Sequence, residues 1–329
     1  MSTRLDKKMA ELKAAGKKGI FIYITAGAPD VETTLKAVRE AEKAGADVIE
    51  LGLPFSDPMA DGPVIQSASV CALKNGMTLK KELEIVREIR KFSDIPLIGM
   101  GYINNMYHYG FEKFVTDFKA AGMDGIIVPD VPHEESGEMR KICAAHDFHL
   151  AEFITPGTTE ARMTETCKGA TGFIYCVSNN GVTGVKKIDY STIGKVCEKA
   201  RKFTDTPLAV GFGIGSPEAA VAAAAKSDAV IVGSAVVLLG AGYAGWYFWN
   251  KTAQDTAAPP AVASAPVPSA PSTPAVTAPT PEPAAAQPAA AESHPLEPAA
   301  DAQGHPPLSA GDGAPPAAAG PLVLRRRWL

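Results

Sequence analysis

The chain has 329 residues, of which 46% are hydrophobic, and a formal net charge of −4 at neutral pH. So small a charge gives no reason to expect nucleic-acid binding. The length suggests roughly two domains, or one large barrel with an additional segment. The N-terminus leads into an amphipathic helix rather than an apolar signal region, and we therefore expect no secretory signal.

Cysteine and histidine usage points away from disulfides and metals. The five cysteines are widely spaced and form no C-x-x-C pair, so we expect reduced thiols in a cytoplasmic domain. The six histidines show no ligand spacing with one another or with cysteine. The sequence therefore predicts no metal site.

Short apolar runs alternate with amphipathic stretches along the first 235 residues or so. The runs are almost continuously apolar, which is typical of parallel strands buried on both faces. We predict eight strands: Gly19–Thr25, Val48–Leu51, Pro96–Gly101, Gly125–Pro129, His149–Ile154, Gly172–Val177, Leu208–Phe212 and Ala229–Gly233.

The stretches between these runs carry apolar residues at three- and four-residue spacing, which predicts helices. The predicted helices are Val31–Ala44, Leu79–Lys91, Phe111–Ala121, Glu134–His146, Ile188–Lys202 and Pro217–Lys226. Gly45 and Gly122 follow two of them and are expected to cap their C-termini.

Eight strands with intervening helices over roughly 235 residues predict an α/β fold of the (β/α)8 TIM-barrel type, whose usual size is about 250 residues. A doubly wound open sheet is the alternative. We favour the barrel, because an open sheet seldom needs eight parallel strands in this length.

The most informative segment is Glu50–Pro63, where a carboxylate lies inside an apolar strand. Dehydrating a charge costs several kcal/mol unless a partner or ligand compensates. Gly52 and Pro54 signal the end of the strand, where α/β enzymes keep their chemistry. A Glu satisfied by backbone donors or a lysine is the structural alternative. Asp57 and Asp61, in the loop that follows, favour an active site.

Glycines follow the two last predicted strands. Gly211 and Gly213 end the seventh strand, and Gly233 and Ser234 end the eighth. In barrels these two positions often bind phosphate through backbone N–H groups, to which glycine allows close approach. The sequence therefore predicts a phosphate site at this edge.

The sixth strand leads through Tyr175 into the polar loop Ser178–Gly184. A loop of this kind can close over a ligand and exclude water. An ordinary surface loop is the alternative.

Five segments together resemble the alpha chain of tryptophan synthase, in order from about Leu5 to Val237, some seven-tenths of the chain. They are Glu50–Pro63, Tyr102-x-Asn104, Pro129-Asp130, Gly181–Gly184 and Gly211–Ile214. The first motif is long and specific, whereas the glycine motifs occur in many phosphate-binding barrels.

The resemblance implies a lyase of tryptophan biosynthesis that cleaves indole-3-glycerol phosphate to indole and glyceraldehyde 3-phosphate. Glu50 would donate a proton to the ring and take one from the glycerol hydroxyl. Asp61 would accept a hydrogen bond from the ring N–H. Tyr175 would orient Glu50, and Thr183 would meet Asp61 when the loops close.

Further roles are implied by the same resemblance. Aromatic side chains would form the indole pocket, namely Phe21, Tyr102 and Phe212. Main-chain groups and a hydroxyl would bind the substrate at Gly184, Gly211, Gly213, Gly233 and Ser234. Asp57 would lie near a beta chain, with two alpha and two beta chains per assembly. Pyridoxal phosphate would be bound only by that beta chain, so we expect no cofactor here.

The C-terminal part departs from the family after Val237. No charged residue occurs between Asp228 and Lys251, a gap of 22 positions (229 to 250), which is long enough to span a bilayer. If Ala229–Gly233 is the eighth strand, however, only about 14 apolar residues remain. We favour an intact strand, with residues 238–251 as an atypical apolar helix that replaces the usual eighth helix. A single membrane anchor, with the barrel in the cytoplasm, is the alternative.

We therefore expect a lyase domain at 1–237, the apolar helix at 238–251 and a tail at 252–329. The tail is almost entirely Ala, Pro, Ser and Thr, and should be disordered because it lacks the apolar side chains needed to offset its ordering entropy.

Two other functions compete with the lyase. One is another phosphate-binding barrel enzyme. The lack of a catalytic lysine at a strand end argues against most of these enzymes, since Lys186 and Lys187 lie in a loop. The other is a membrane-tethered, inactive barrel.

Overall fold

The structure is a computed structural model, and it describes residues 2–177 and 190–234. These residues all belong to one compact unit. The loop 178–184, which includes Thr183 and Gly184, lies outside the described residues. So do the predicted apolar helix and the Pro/Ala-rich tail.

The described strands are β1 (Gly19–Thr25), β2 (Val48–Gly52), β3 (Leu97–Met100), β4 (Gly125–Ile127), β5 (His149–Leu150), β6 (Glu152–Ile154), β7 (Ile174–Val177), β8 (Leu208–Gly211) and β9 (Ala229–Val232). They form one sheet in which every neighbouring pair is parallel, in the order β5-β4-β3-β2-β1-β9-β8-β7-β6.

The two ends of this order are successive pieces of one extended run. The prediction of a continuous strand over His149–Ile154 was wrong, because the run is interrupted at Ala151. Its first half pairs with β4 and its second half with β7, while the Ala151 N–H donates to the Ile126 carbonyl at 3.0 Å. The two halves therefore occupy one position, and the predicted TIM barrel of eight positions is confirmed.

Helices connect the strands. Their bounds are α1 (Arg4–Ala14), α2 (Val31–Lys43), α3 (Pro63–Lys74), α4 (Leu79–Arg90), α5 (Ile103–Tyr109), α6 (Phe111–Ala121), α7 (Gly137–Ala145), α8 (Glu160–Lys168), α9 (Tyr190–Ala200) and α10 (Pro217–Ala224).

The sequence analysis missed α3, α5 and α8. Each is short or has a weak apolar stripe, and α3 begins at Gly62-Pro63 within what looks like a loop. The predicted helix Glu134–His146 divides into a 3₁₀ turn at His133–Glu135 and α7. Gly122 has φ +109°, as expected for the residue that caps α6.

Side chains alternate between the barrel axis and the helices. On β2, Val48 belongs to the interior cluster, whereas Ile49 and Leu51 pack towards the helices. Glu50, between them, therefore points along with Val48 into the barrel. Leu5 on α1 is fully buried in the same interior cluster, so α1 closes one end of the barrel.

Ala229–Val232 pairs with β1 and β8 as a barrel strand, which confirms the predicted eighth strand. A membrane span that begins at residue 229 is therefore incompatible with the fold. In the described part of the chain, no helix has the length and apolar character needed to cross a membrane.

Candidate active site

A cavity opens at the carboxyl ends of the strands, where the barrel axis meets solvent. It holds about 590 Å³ of space, including the part open to solvent. Its walls are mainly apolar, with two carboxyl groups and two phenols among them. The lining residues are Tyr23, Glu50, Asp61, Ile65, Met100, Ile127, Pro129, Phe153, Tyr175, Phe212, Gly213, Ile214, Ile231, Gly233 and Ser234.

Glu50 lies on β2 with only 4% of its surface exposed. Its Oε2 atom is buried and has no hydrogen-bond partner among the described residues. Burial raises the pKa of Glu50 to about 8, and the negative charge of Asp61 contributes in the same direction. Glu50 is therefore mostly protonated at neutral pH and can act as an acid.

Asp61 lies in the loop between β2 and α3, with 3% of its surface exposed. The Tyr102 hydroxyl donates to Asp61 Oδ2 at 3.0 Å and accepts a hydrogen bond from the Ala60 N–H at 3.1 Å. Burial raises the pKa of Asp61 to about 6, although the Tyr102 hydrogen bond lowers it. Asp61 is therefore mostly ionised at neutral pH. Its Oδ1 atom is buried without a partner among the described residues.

Tyr175 lies on β7 and lines the same cavity. Its ring stacks on Phe153 at 5.3 Å and meets Phe212 edge-on at 5.9 Å. In the described residues its hydroxyl makes no hydrogen bond to Glu50; instead it lies against Gly211, where a Cβ atom would be only 2.1 Å away. Burial and the charges of Glu50 and Asp61 raise the pKa of Tyr175 well above its usual value. The phenol therefore stays neutral.

The predicted phosphate-binding turns meet at one side of the cavity. Gly213, Gly233 and Ser234 line it directly, whereas Gly211 lies behind the Tyr175 hydroxyl. Phe212 and Gly213 have φ values of +71° and +72°, a conformation that turns the chain sharply after β8. A Cβ on Gly233 would meet its nearest neighbours only at ordinary contact distances, 3.6 Å and beyond.

Two of the predicted pocket aromatics are not among the residues lining the cavity. Phe21 lies deeper in the barrel, 1% exposed, with its ring edge-on to Phe173 at 5.2 Å. Tyr102 lies behind Asp61 and stacks on Phe55 at 5.3 Å. Asp57 is exposed outside the cavity, where its carboxylate accepts a hydrogen bond from Ser56.

Sequence reasoning missed several lining residues, of which Tyr23 is the most informative. Tyr23 is the register partner of Glu50 across the β1–β2 pair. Burial, followed by the charge of Asp61, raises its pKa well above the usual value. Side chains two residues apart on a strand point to the same face, so the sequence could have placed Tyr23 inside the barrel with Phe21. Only the pairing register between β1 and β2 sets it beside Glu50.

Within residues 2–177 and 190–234, no group of three or more His, Cys, Asp or Glu side chains is arranged to hold a metal ion. The arrangement around the cavity is instead that of two carboxyls with different proton affinities in an apolar pocket, next to glycine turns suited to an anion.

Comparison with known proteins agrees with this geometry. Residues 9–241 match the family profile "Tryptophan synthase alpha chain". The tryptophan synthase alpha chain of Clostridium acetobutylicum is 46% identical over 220 residues, which cover 67% of this chain and 83% of the relative. That of Clostridium kluyveri is 42% identical over 234 residues, covering 71% and 89%.

Solved structures show the same likeness. Tryptophan synthase subunit alpha from Legionella pneumophila superposes with a TM-score of 0.67 at 37% identity, covering 72% of this chain and 88% of that one. A chain of Mycobacterium tuberculosis tryptophan synthase superposes with a TM-score of 0.68 at 31% identity, covering 72% and 91%. The chain therefore belongs to the tryptophan synthase alpha chain family, whose members are lyases with a TIM-barrel fold.

Proposed function

We propose that this protein cleaves indole-3-glycerol phosphate to indole and glyceraldehyde 3-phosphate by a retro-aldol reaction. One observation carries the proposal. Two buried carboxyls share an apolar cavity, and their pKa values of about 8 and about 6 leave Glu50 protonated and Asp61 ionised at neutral pH. This is the division of labour that the reaction requires of an acid and an anion.

In this mechanism Glu50 transfers protons in two steps. Its carboxylic acid first donates a proton to C3 of the indole ring, which makes the ring an electron acceptor. The resulting carboxylate then takes the proton from the adjacent glycerol hydroxyl. The C–C bond breaks, its electrons return to the ring, and the aldehyde forms. Glu50 ends protonated, as it began.

Asp61 stabilises the charge that develops during this step. When C3 is protonated, positive charge appears on the ring nitrogen. The carboxylate of Asp61 would accept a hydrogen bond from that N–H in a pocket of low dielectric, where such a contact is strong. The hydrogen bond from Tyr102 holds Asp61 in position and favours its ionised form.

The phosphate group would bind at Gly213, Gly233 and Ser234, and substitution of Gly233 tests this assignment. Gly233→Ala should fold, because its Cβ fits, but the methyl group would occupy space next to the phosphate. We expect KM for the substrate to rise by about tenfold with little change in kcat, since ground-state binding is lost. Steady-state kinetics measure both, with Gly169→Ala as the control because that position is exposed and open. An unchanged KM in Gly233→Ala would remove this turn from the phosphate site.

The partner assignment also belongs to the proposal. We infer that a beta chain docks at the mouth of the cavity and that Asp57, which is exposed, faces it. The exposed side chain of Met59, two residues further along the same loop, adds apolar surface next to Asp57. Proton transfer by carboxyls needs no cofactor in this chain, and pyridoxal phosphate is assigned to the partner.

We further propose that residues 1–237 form the lyase domain and that 238–251 replace the eighth helix. Two observations support this organisation: the family match ends at residue 241, close to the proposed boundary, and residues 238–250 carry no charged side chain. Truncation after Val237 distinguishes the alternatives: lower stability than the full chain supports a covering role. The cytoplasmic location and the disordered tail at 252–329 remain predictions, which cell fractionation and limited proteolysis respectively address.

The test of the main proposal is indole release from indole-3-glycerol phosphate, measured in soluble and membrane fractions with and without a beta chain. Release that depends on this chain supports the lyase. A folded chain that releases no indole under either condition contradicts it and favours an inactive barrel.

A further inference from the structure

A second cleft lies outside the barrel mouth, where the end of α3 and the start of α4 meet α5. It contains about 950 Å³ of space, including the part open to solvent, and shares no lining residue with the active-site cavity. Its wall is apolar at Leu73, Met77 and Leu79 and carries one buried carboxyl, that of Glu82.

Glu82 lies in the first turn of α4 with 1% of its surface exposed. Its Oε2 atom is buried and has no hydrogen-bond partner among the described residues. Burial alone raises the pKa of Glu82 to about 8. A buried polar group without a partner costs about 1–3 kcal/mol. The retro-aldol mechanism does not use Glu82, so catalysis does not account for this cost.

The charged and titratable groups around the cleft leave Glu82 unpaired. Lys80 on α4 and His108 on α5 also line it, but neither forms an ion pair with Glu82 in the described part of the chain. The Tyr109 hydroxyl donates to Asp117 at 2.6 Å and is thereby occupied. Because no second carboxylate lines the cleft, it lacks the oxygen ligands that a divalent metal requires.

We propose that this cleft binds a small organic cation, a primary alkylammonium, which pairs with Glu82 through its ammonium group and packs its alkyl chain on Leu73, Met77 and Leu79. An ammonium supplies three hydrogen-bond donors and a compensating charge, which a neutral ligand does not. The apolar walls favour a ligand with an alkyl stem over a bare inorganic cation.

Binding should release a proton. Free Glu82 is protonated below pH 8, and an ammonium partner favours its ionised form. The affinity is therefore expected to rise about tenfold per pH unit below pH 8 and to level off above it. Lys80 lines the same cleft, and its positive charge would weaken binding without changing this direction.

The test is calorimetric titration of the full chain with n-butylammonium chloride at pH 6, 7 and 8. n-Butanol serves as the neutral ligand of matched size. We expect saturable binding of the cation, weaker binding of the alcohol, and tightening with pH. Glu82→Gln should weaken cation binding by tenfold or more, because the charge-assisted hydrogen bond is lost. Glu84→Gln, on the exposed side of the same helix, should leave it unchanged.

Several outcomes would overturn the proposal. These are no saturable cation binding at tens of millimolar, equal affinities for cation and alcohol, or unchanged binding in Glu82→Gln. If Glu82→Gln does not fold, Glu82→Met replaces it, because an apolar side chain suits this buried position. The experiment does not use indole release, so its result is independent of the proposed lyase activity.

Discussion

Replacing Glu50 with Gln should reduce the rate of indole release by about 10³-fold while the barrel remains folded. Positioned general acid–base groups typically contribute 10²- to 10⁴-fold, and here one side chain performs both proton transfers. The amide of Gln has nearly the same shape as the acid but transfers no proton. Single-turnover measurement of indole formation isolates this step from product release.

The stability of the same variant provides an internal control. Glu50 has a higher pKa in the folded protein, about 8, than its ordinary value of 4.5. Its contribution to stability is therefore fully present below pH 4.5 and is lost as the pH rises towards 8. Glu50→Gln removes that loss, so the variant should be more stable than the parent at pH 8 and similar at pH 4.5. Urea unfolding at the two pH values measures the difference.

These two results distinguish catalysis from folding. A variant that is inactive and at least as stable as the parent at pH 8 assigns the proton transfers to Glu50. Near-normal indole release by a folded Glu50→Gln protein would falsify the mechanism.

Asp61→Asn is expected to lower kcat by about 10²- to 10³-fold, the usual effect of removing one group that stabilises transition-state charge. The neutral amide does not compensate positive charge on the ring nitrogen. The loss should appear in kcat more than in KM, because the charge develops only in the transition state. Steady-state kinetics on the purified variant provide both constants.

The pH dependence of kcat/KM gives a second readout of the same residue. With Asp61 ionised above about pH 6 and Glu50 protonated below about pH 8, the parent profile should be bell-shaped. Asp61→Asn should abolish the acidic limb and move the basic limb to lower pH, since the Asp61 charge raises the pKa of Glu50. Tyr102→Phe should move the acidic limb to higher pH, because it removes a hydrogen bond that lowers the pKa of Asp61.

A control for the pair of variants is Asp57→Asn, which changes an exposed carboxyl in the same loop. Its profile without a beta chain should match that of the parent. If the acidic limb persists in Asp61→Asn, the ionisation that the limb reports belongs to a group other than Asp61.

Strand number and site location were accessible from the sequence because apolar runs and turn residues are local signals. The apolar run around Glu50 and the glycines after β8 and β9 indicated which end of the barrel carries the candidate active site. The interruption at Ala151 was not accessible, because it depends on where along the run the pairing with each neighbouring strand falls. The helix α3 was missed because its sequence is only weakly amphipathic. Its helical conformation depends more on packing against the rest of the barrel than on a local pattern.

The hydrogen bond between Tyr102 and Asp61 joins residues 41 positions apart, and no spacing rule predicts it. The resemblance assigned Tyr102 to the ring pocket, and the structure adds a contact between its hydroxyl and the Asp61 carboxylate. Likewise, only the strand register brings Tyr23 beside Glu50.

By itself, the sequence determined the fold class, the family and the identity of the two carboxyls, since these depend on residue type and short-range order. Only the tertiary structure decided how strongly each carboxyl holds its proton. Proton affinity depends on dehydration and on neighbouring charges, and both are set by residues that are distant in the chain and adjacent in the barrel.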